Sequence, residues 1–179
     1  LLGMYMFYPK FALLLYRSIK KSDFKIIFST IVLSISIRFV LYAFLTIIFG
    51  YKADANGGVD IIGALAPAER LIYSVLFFGF QLMGEEMLRI IPFLFFLYLF
   101  YLKFNLSRER CVLFSWVLSA MFFAAIHFPT YSWNVPQILL LFCGGLIFNR
   151  AYVKTKNILV IYIAHVIYDF ICIAPLLIG

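Results

Sequence analysis

Apolar positions in this chain come in long unbroken blocks, separated by short polar connections. The clear blocks cover residues 26–49, 71–102, 111–128, 133–148 and 158–178. None alternates apolar with polar residues, so the pattern does not describe the strands of a barrel. Each block predicts a membrane-crossing helix, for which roughly 20 apolar residues suffice. The second block is too long for one straight crossing. Tilt, extension beyond the bilayer or a break is expected there, with Gly79, Gly84 and Pro92 as the places to break it. The fourth block is short and contains Gly144-Gly145. Residues 1–24 are apolar but interrupted by Lys10, and read as an interfacial helix or the remainder of a span. The expected architecture is all-α: a polytopic transmembrane helical bundle of about five to six helices, forming one membrane-embedded domain over residues 1–179. No internal repeat or low-complexity tract divides it.

Composition agrees with the pattern. The chain is 65% hydrophobic and only 13% charged, against about a quarter charged in soluble domains. The net charge of +7 does not indicate nucleic acid, because the basic residues fall in separate short loops instead of one patch. Lys10, Arg17, Lys20, Lys21 and Lys25 precede the first block; Lys103, Arg108 and Arg110 lie in one later loop, and Arg150, Lys154 and Lys156 in another. With five crossings these clusters share one side, which the positive-inside rule makes cytoplasmic. The N-terminus is then expected inside and the C-terminus outside. No cleavable signal peptide is evident. Cys111, Cys143 and Cys172 have no paired spacing and read as core residues, not as a disulfide framework or zinc site.

The charges that matter are those the membrane should exclude. Within the apolar blocks stand Arg38, Glu85, Glu86, Arg89, His127, His165 and Asp169. A charge at a helix centre costs about 2.5–3.5 kcal/mol on insertion scales, so such residues face a bundle interior and mark function. In "MGEEMLRIIPF" (83–93), Glu85 and Arg89 are i, i+4 and Glu86 and Arg89 are i, i+3. Either glutamate can therefore pair with the arginine. The two glutamates point about 100° apart on a helix and are not expected to share a proton. One should face a site while the other is neutralised by Arg89, a structural counter-ion. His165 and Asp169 are i, i+4 in "HVIYD", a spacing that lets a carboxylate orient an imidazole or lets both meet a common ligand. His127, from a separate block, is a third partner. Arg38 has no acid near it in sequence and reads as a snorkelling or ion-paired structural residue outside the site.

In order and spacing these residues resemble the CAAX prenyl protease and bacteriocin-processing (Abi, CPBP) family of intramembrane proteases. That family carries Glu-Glu followed by Arg, then Phe-x-x-x-His, then His-x-x-x-Asn/Asp, on successive membrane helices. Here these are Glu85-Glu86, Phe123 to His127, and His165 to Asp169, and the resemblance covers residues 78–170. The usual first motif leaves three residues between the glutamates and the arginine; here only Met87 and Leu88 intervene.

The resemblance implies peptide hydrolysis by activated water, with Glu85, Glu86, His127, His165 and Asp169 as the catalytic set and Phe123 in support. Glu85 would be the base, His127 would position the water, and His165 and Asp169 would hold the scissile carbonyl and its developing charge. A metal version would use His127, His165 and Glu85 around zinc; the reading favoured here needs no cofactor. The expected substrate is a peptide or small membrane-associated protein, in a bacterial plasma membrane, with lipid as the other partner. The rival readings are a non-catalytic bacteriocin self-immunity or regulatory membrane protein and, behind it, an ion or proton carrier.

Overall fold

The computed structural model describes residues 15–52 and 57–178, and all regular structure among them is helical. The expectations for the first 14 residues, Lys10 included, fall outside the described residues. The helices are α1 (Lys21–Phe49), α2 (Gly57–Ala64), α3 (Pro67–Leu102), α4 (Arg108–Ala125), α5 (Val135–Thr155) and α6 (Ile158–Ile178). Three of them, α1, α5 and α6, are long and apolar enough to cross a membrane by themselves. The chain is an all-helical membrane bundle.

Local chemistry sets the ends of these helices. At the start of α1, the Asp23 carboxylate accepts the Lys20 backbone N–H at 2.9 Å, satisfying one of the donors every helix start leaves free. Gly50 closes the same helix in the left-handed conformation (φ 63°), its N–H donating to the Thr46 carbonyl. A glycine adopts that conformation without penalty. Helix α5 opens on Asn134, whose side chain accepts the Gln137 N–H at 3.2 Å. It then runs on to Thr155, seven residues past the expected end at 148, so much of the basic connection is helical.

Two expectations shift. The 71–102 block does not break: α3 is one helix of 36 residues with Pro92 inside it. At 1.5 Å per residue it is about 54 Å long, so the excess over a core of about 30 Å is taken up by extension or tilt. The third block ends earlier than its apolar run. Helix α4 stops at Ala125 and residues 126–133 form turns, which is natural ahead of Pro129, since proline disfavours the helical conformation in the residue before it. His127 thus sits on a turn at the helix end, free of the helical ladder's geometry.

Between membrane helices, association rests on close packing and hydrogen bonds instead of the hydrophobic effect. Gly145 on α5 lies so close to α4 that a Cβ there would meet the Ala120 Cβ at 3.3 Å. Beside it, Trp116 Nε1 donates to the Leu146 carbonyl (2.7 Å), and Asn149 Nδ2 donates to the Trp116 carbonyl (3.0 Å) and to Ser119 Oγ (2.8 Å). At the basic end, Arg17 grips Asp23 with two bonds of 2.8 and 2.9 Å, while Asn157 donates to the Arg17 carbonyl at 2.9 Å. The segment before α1 is thereby tied to the α5–α6 turn. At the opposite end Arg70 donates to the Leu176 carbonyl (2.7 Å) and joins α3 to α6. Helix α1 packs on α5 and α6 and exposes Phe24, Phe28, Phe39, Phe44 and Ile47, an apolar face suited to lipid.

Candidate active site

All six helices and the turn after α4 contribute to a cavity of about 530 Å³, within the usual range for ligand sites. Glu85, His127, His165 and Asp169 all line it. Four residues expected to act together, from three separate segments, therefore reach one space. Glu86 does not line it.

The two glutamates part by helical phase. Glu86 is fully buried (0% exposed). Its carboxylate accepts from Arg89 Nη1 at 2.9 and 3.0 Å and from His165 Nδ1 at 2.6 Å. Arg89 is the counter-ion, and its partner is the i, i+3 glutamate. The guanidinium also lies between two rings, 4.2 Å from the Phe123 centroid and 4.9 Å from that of Phe148. Cation–π contacts of this kind stabilise by about 0.5–2 kcal/mol, most where water is excluded. The phenylalanine of the Phe-x-x-x-His motif thus covers the arginine of the first motif. Glu85, one residue earlier, turns to the cavity and accepts a hydrogen bond from Gln81 Nε2 at 2.9 Å; it is only half-buried.

Each histidine has one nitrogen fixed. His127 Nδ1 lies 2.7 Å from the Phe123 carbonyl; a carbonyl only accepts, so Nδ1 carries the proton and Nε2 is left as an acceptor. His165 Nδ1 is held by the Glu86 carboxylate from another helix, and its Nε2 lies 3.8 Å from Asp169 Oδ2. That gap is too long for a hydrogen bond and suits two groups meeting a common ligand. The carboxylate that orients the His165 ring is therefore Glu86, not its helical neighbour Asp169.

Among the described residues, no three His, Cys, Asp or Glu side chains are grouped as a metal site. Both histidines have Nδ1 engaged by a protein oxygen, which leaves Nε2 of each as the nitrogen for substrate, water or an ion.

Four residues were not foreseen as parts of this site. Gln81 is i, i+4 from Glu85, a spacing visible in the sequence. Phe148 and Tyr168 carried no signal, being aromatic residues in aromatic-rich helices. Arg38, expected outside the site as a snorkelling or ion-paired structural residue, lines the cavity and donates from Nη1 to the Tyr168 hydroxyl at 3.0 Å. Its charge within an apolar block was the signal that could have placed it.

No curated protein and no solved structure matches the chain. One family model does, over residues 11–171, and it describes Rce1-like type II CAAX prenyl endopeptidases. That match takes in Glu85, Glu86, Arg89, His127, His165 and Asp169, and the chain is an integral membrane protein of the Rce1-like type II CAAX prenyl endopeptidase family.

Proposed function

We propose that this protein is an intramembrane endopeptidase that hydrolyses peptide bonds with a water activated by Glu85. The observation that carries the reading is the division of the glutamate pair. Glu86 is fully buried and consumed by Arg89 and His165, whereas Glu85 stands on the cavity wall with His127, His165 and Asp169.

Water held between Glu85 and His127 Nε2 gives one proton to the Glu85 carboxylate as its oxygen attacks the scissile carbonyl. The carbonyl π pair moves to oxygen, and the oxyanion needs a donor. His165 supplies it from Nε2 when the ring is an imidazolium. Glu86 holds Nδ1 at 2.6 Å, and Asp169 Oδ2 lies 3.8 Å from Nε2. Collapse of the tetrahedral intermediate expels the amine, which takes the proton from Glu85. General acid–base assistance of this type contributes about 10²–10⁴-fold. Glu86 acts here through His165 and is a positioning residue.

The substrate is a peptide or small membrane-associated protein, and the domain is a single membrane-embedded unit of a bacterial plasma membrane with its N-terminus cytoplasmic. The positive loops carry that orientation. The test is cleavage of apolar peptides by purified protein, with and without a chelator, beside the Glu85→Gln variant at matched abundance. Cleavage by the parent that survives chelation and is lost in Glu85→Gln supports the mechanism. Loss on chelation would move it to a metal. An unaffected Glu85→Gln would assign the polar residues to a scaffold or self-immunity protein.

A further inference from the structure

We infer that the cavity opens on the non-cytoplasmic side of the membrane, so that its substrate is a peptide, or a segment of a membrane-anchored protein, presented at that outer face; this rests on the protease and orientation readings above. Helix direction places the cavity along the bundle. Helices α1, α4 and α6 begin at the end that carries the basic loops, and α3 and α5 finish there. Each lines the cavity from its middle or from the half away from that end, as Leu41 on α1, Phe78 on α3, Gln137 on α5 and Leu176 on α6 show. Val59 of α2 and Thr130 of the turn after α4 complete the lining at the far end. The exposed Trp133 in that turn suits a membrane–water interface.

Toward the basic end the bundle is closed. One turn past Glu86, Ile90 and Phe93 pack with Ala151, Ile158 and Ile161, all at most 1% exposed. Beyond this plug, Arg17 is bonded to Asp23 and Asn157. Close-packed apolar side chains leave few gaps that admit water. Hydrolysis consumes one water per bond, so the site must draw it, and the peptide, from the other end. Charge decides which end that is. The three basic loops all lie at the plugged end, whereas the 50–70 segment carries only Lys52 and Arg70 against Asp54, Asp60 and Glu69. The positive-inside rule makes the plugged end cytoplasmic. The mouth therefore faces outward.

The chain's own thiols can report this. Cys143 and Cys172 line the cavity, while Cys111 is buried. With Cys143→Ala, Cys172 is the reporter within the cavity. With Cys172→Ser added, Thr130→Cys reports on the mouth and Lys103→Cys on the basic end. A charged, membrane-impermeant methanethiosulfonate is applied to sealed cells and to inverted vesicles. Full labelling of Cys172 and Thr130→Cys is expected in sealed cells, with Lys103→Cys labelled in inverted vesicles alone. Any other pattern overturns the inference, including a Cys172 that reacts only with a lipid-soluble maleimide, which would turn the mouth toward lipid. Cleavage is scored separately, with one apolar peptide displayed from a transmembrane anchor on the outer or the inner face of the same cells. Cleavage of the outer form alone, lost in Glu85→Gln, supports both readings. Glu85-dependent cleavage of the inner form, alone or beside the outer, keeps the protease reading and overturns the outward mouth. Cleavage of neither form, with outward labelling intact, keeps the mouth and removes the protease reading.

Discussion

Glu85 and Glu86 are neighbours in sequence, identical in chemistry and opposite in circumstance. Glu86 is buried behind the cavity wall, held by Arg89 and His165, with the rings of Phe123 and Phe148 against the guanidinium. Glu85 faces a cavity and meets a neutral amide, Gln81. One residue of helical phase, about 100°, separates a group that holds the bundle together from one with a lone pair to offer water. A membrane helix places a reactive carboxylate at low cost by putting it next to a compensated one. The buried glutamate then orients what the cavity-facing one uses, since Glu86 fixes the His165 ring that lines the cavity.

The sharpest way to break this comparison is to neutralise each glutamate in turn. Glu85→Gln keeps size and much of the hydrogen bonding but removes the base. Peptide cleavage should fall by about 10³-fold, with the detergent melting temperature near that of the parent. His127→Ala and His165→Ala should be comparably damaging, because groups that act as a unit do not lose activity additively. A Glu85→Gln variant that melts far below the parent would mean that both glutamates are structural.

Glu86→Ala should do the converse. It leaves Arg89 buried without its anion, at a cost of about 3–5 kcal/mol, read as a large drop in thermal stability and yield. Replacing both members, Glu86→Leu with Arg89→Met, should recover most of that stability, because an apolar pair needs no compensation. The recovered protein should remain poorly active, since His165 has lost the carboxylate that orients it. Recovery of full activity would remove Glu86 from any part in catalysis.

Much of this division was legible beforehand. The blocks of apolar residues gave the helices, and the spacing of Glu85, Glu86 and Arg89 limited the pairing to two choices. The choice itself was not legible, because it depends on contacts from elsewhere in the chain: His165 reaches Glu86 from 79 residues away. The same holds for Arg38, whose partner Tyr168 is 130 residues distant; local spacing could report only the absence of a nearby acid. Of the expected alternatives for the long block, the break at Pro92 is the one α3 does not take. A proline removes one ladder bond and kinks an isolated helix, but membrane helices tolerate it where neighbours cover the freed groups, and α3 packs along α4 and α6.

A smaller effect tests how Arg89 is covered. Phe123→Leu keeps an apolar side chain but removes the ring 4.2 Å from the Arg89 guanidinium. The expected loss is about 0.5–2 kcal/mol of stability, with activity reduced mainly through the reduced folded fraction. A Phe123→Trp variant should retain the cation–π contact if the site admits the larger ring. A melting temperature unchanged in Phe123→Leu would mean that Phe148 alone suffices to cover Arg89.

The smallest effect probes the cavity side. Gln81 donates one hydrogen bond to Glu85 Oε1 from the preceding turn of α3, leaving Oε2 for water. A single bond of this kind is worth about 0.5–1.5 kcal/mol, so Gln81→Leu should lower kcat no more than about tenfold. The direction follows from what the bond does. It holds one carboxylate rotamer toward the cavity, so without it a smaller fraction of molecules presents the base correctly, and kcat falls while KM stays near the parent's. Gln81→Glu should be worse than Gln81→Leu, because a second carboxylate at i, i+4 repels the first and cannot donate to it when ionised. If Gln81→Leu instead raised KM alone, Gln81 would be touching substrate, and the orientation of Glu85 would have to come from elsewhere on the cavity wall.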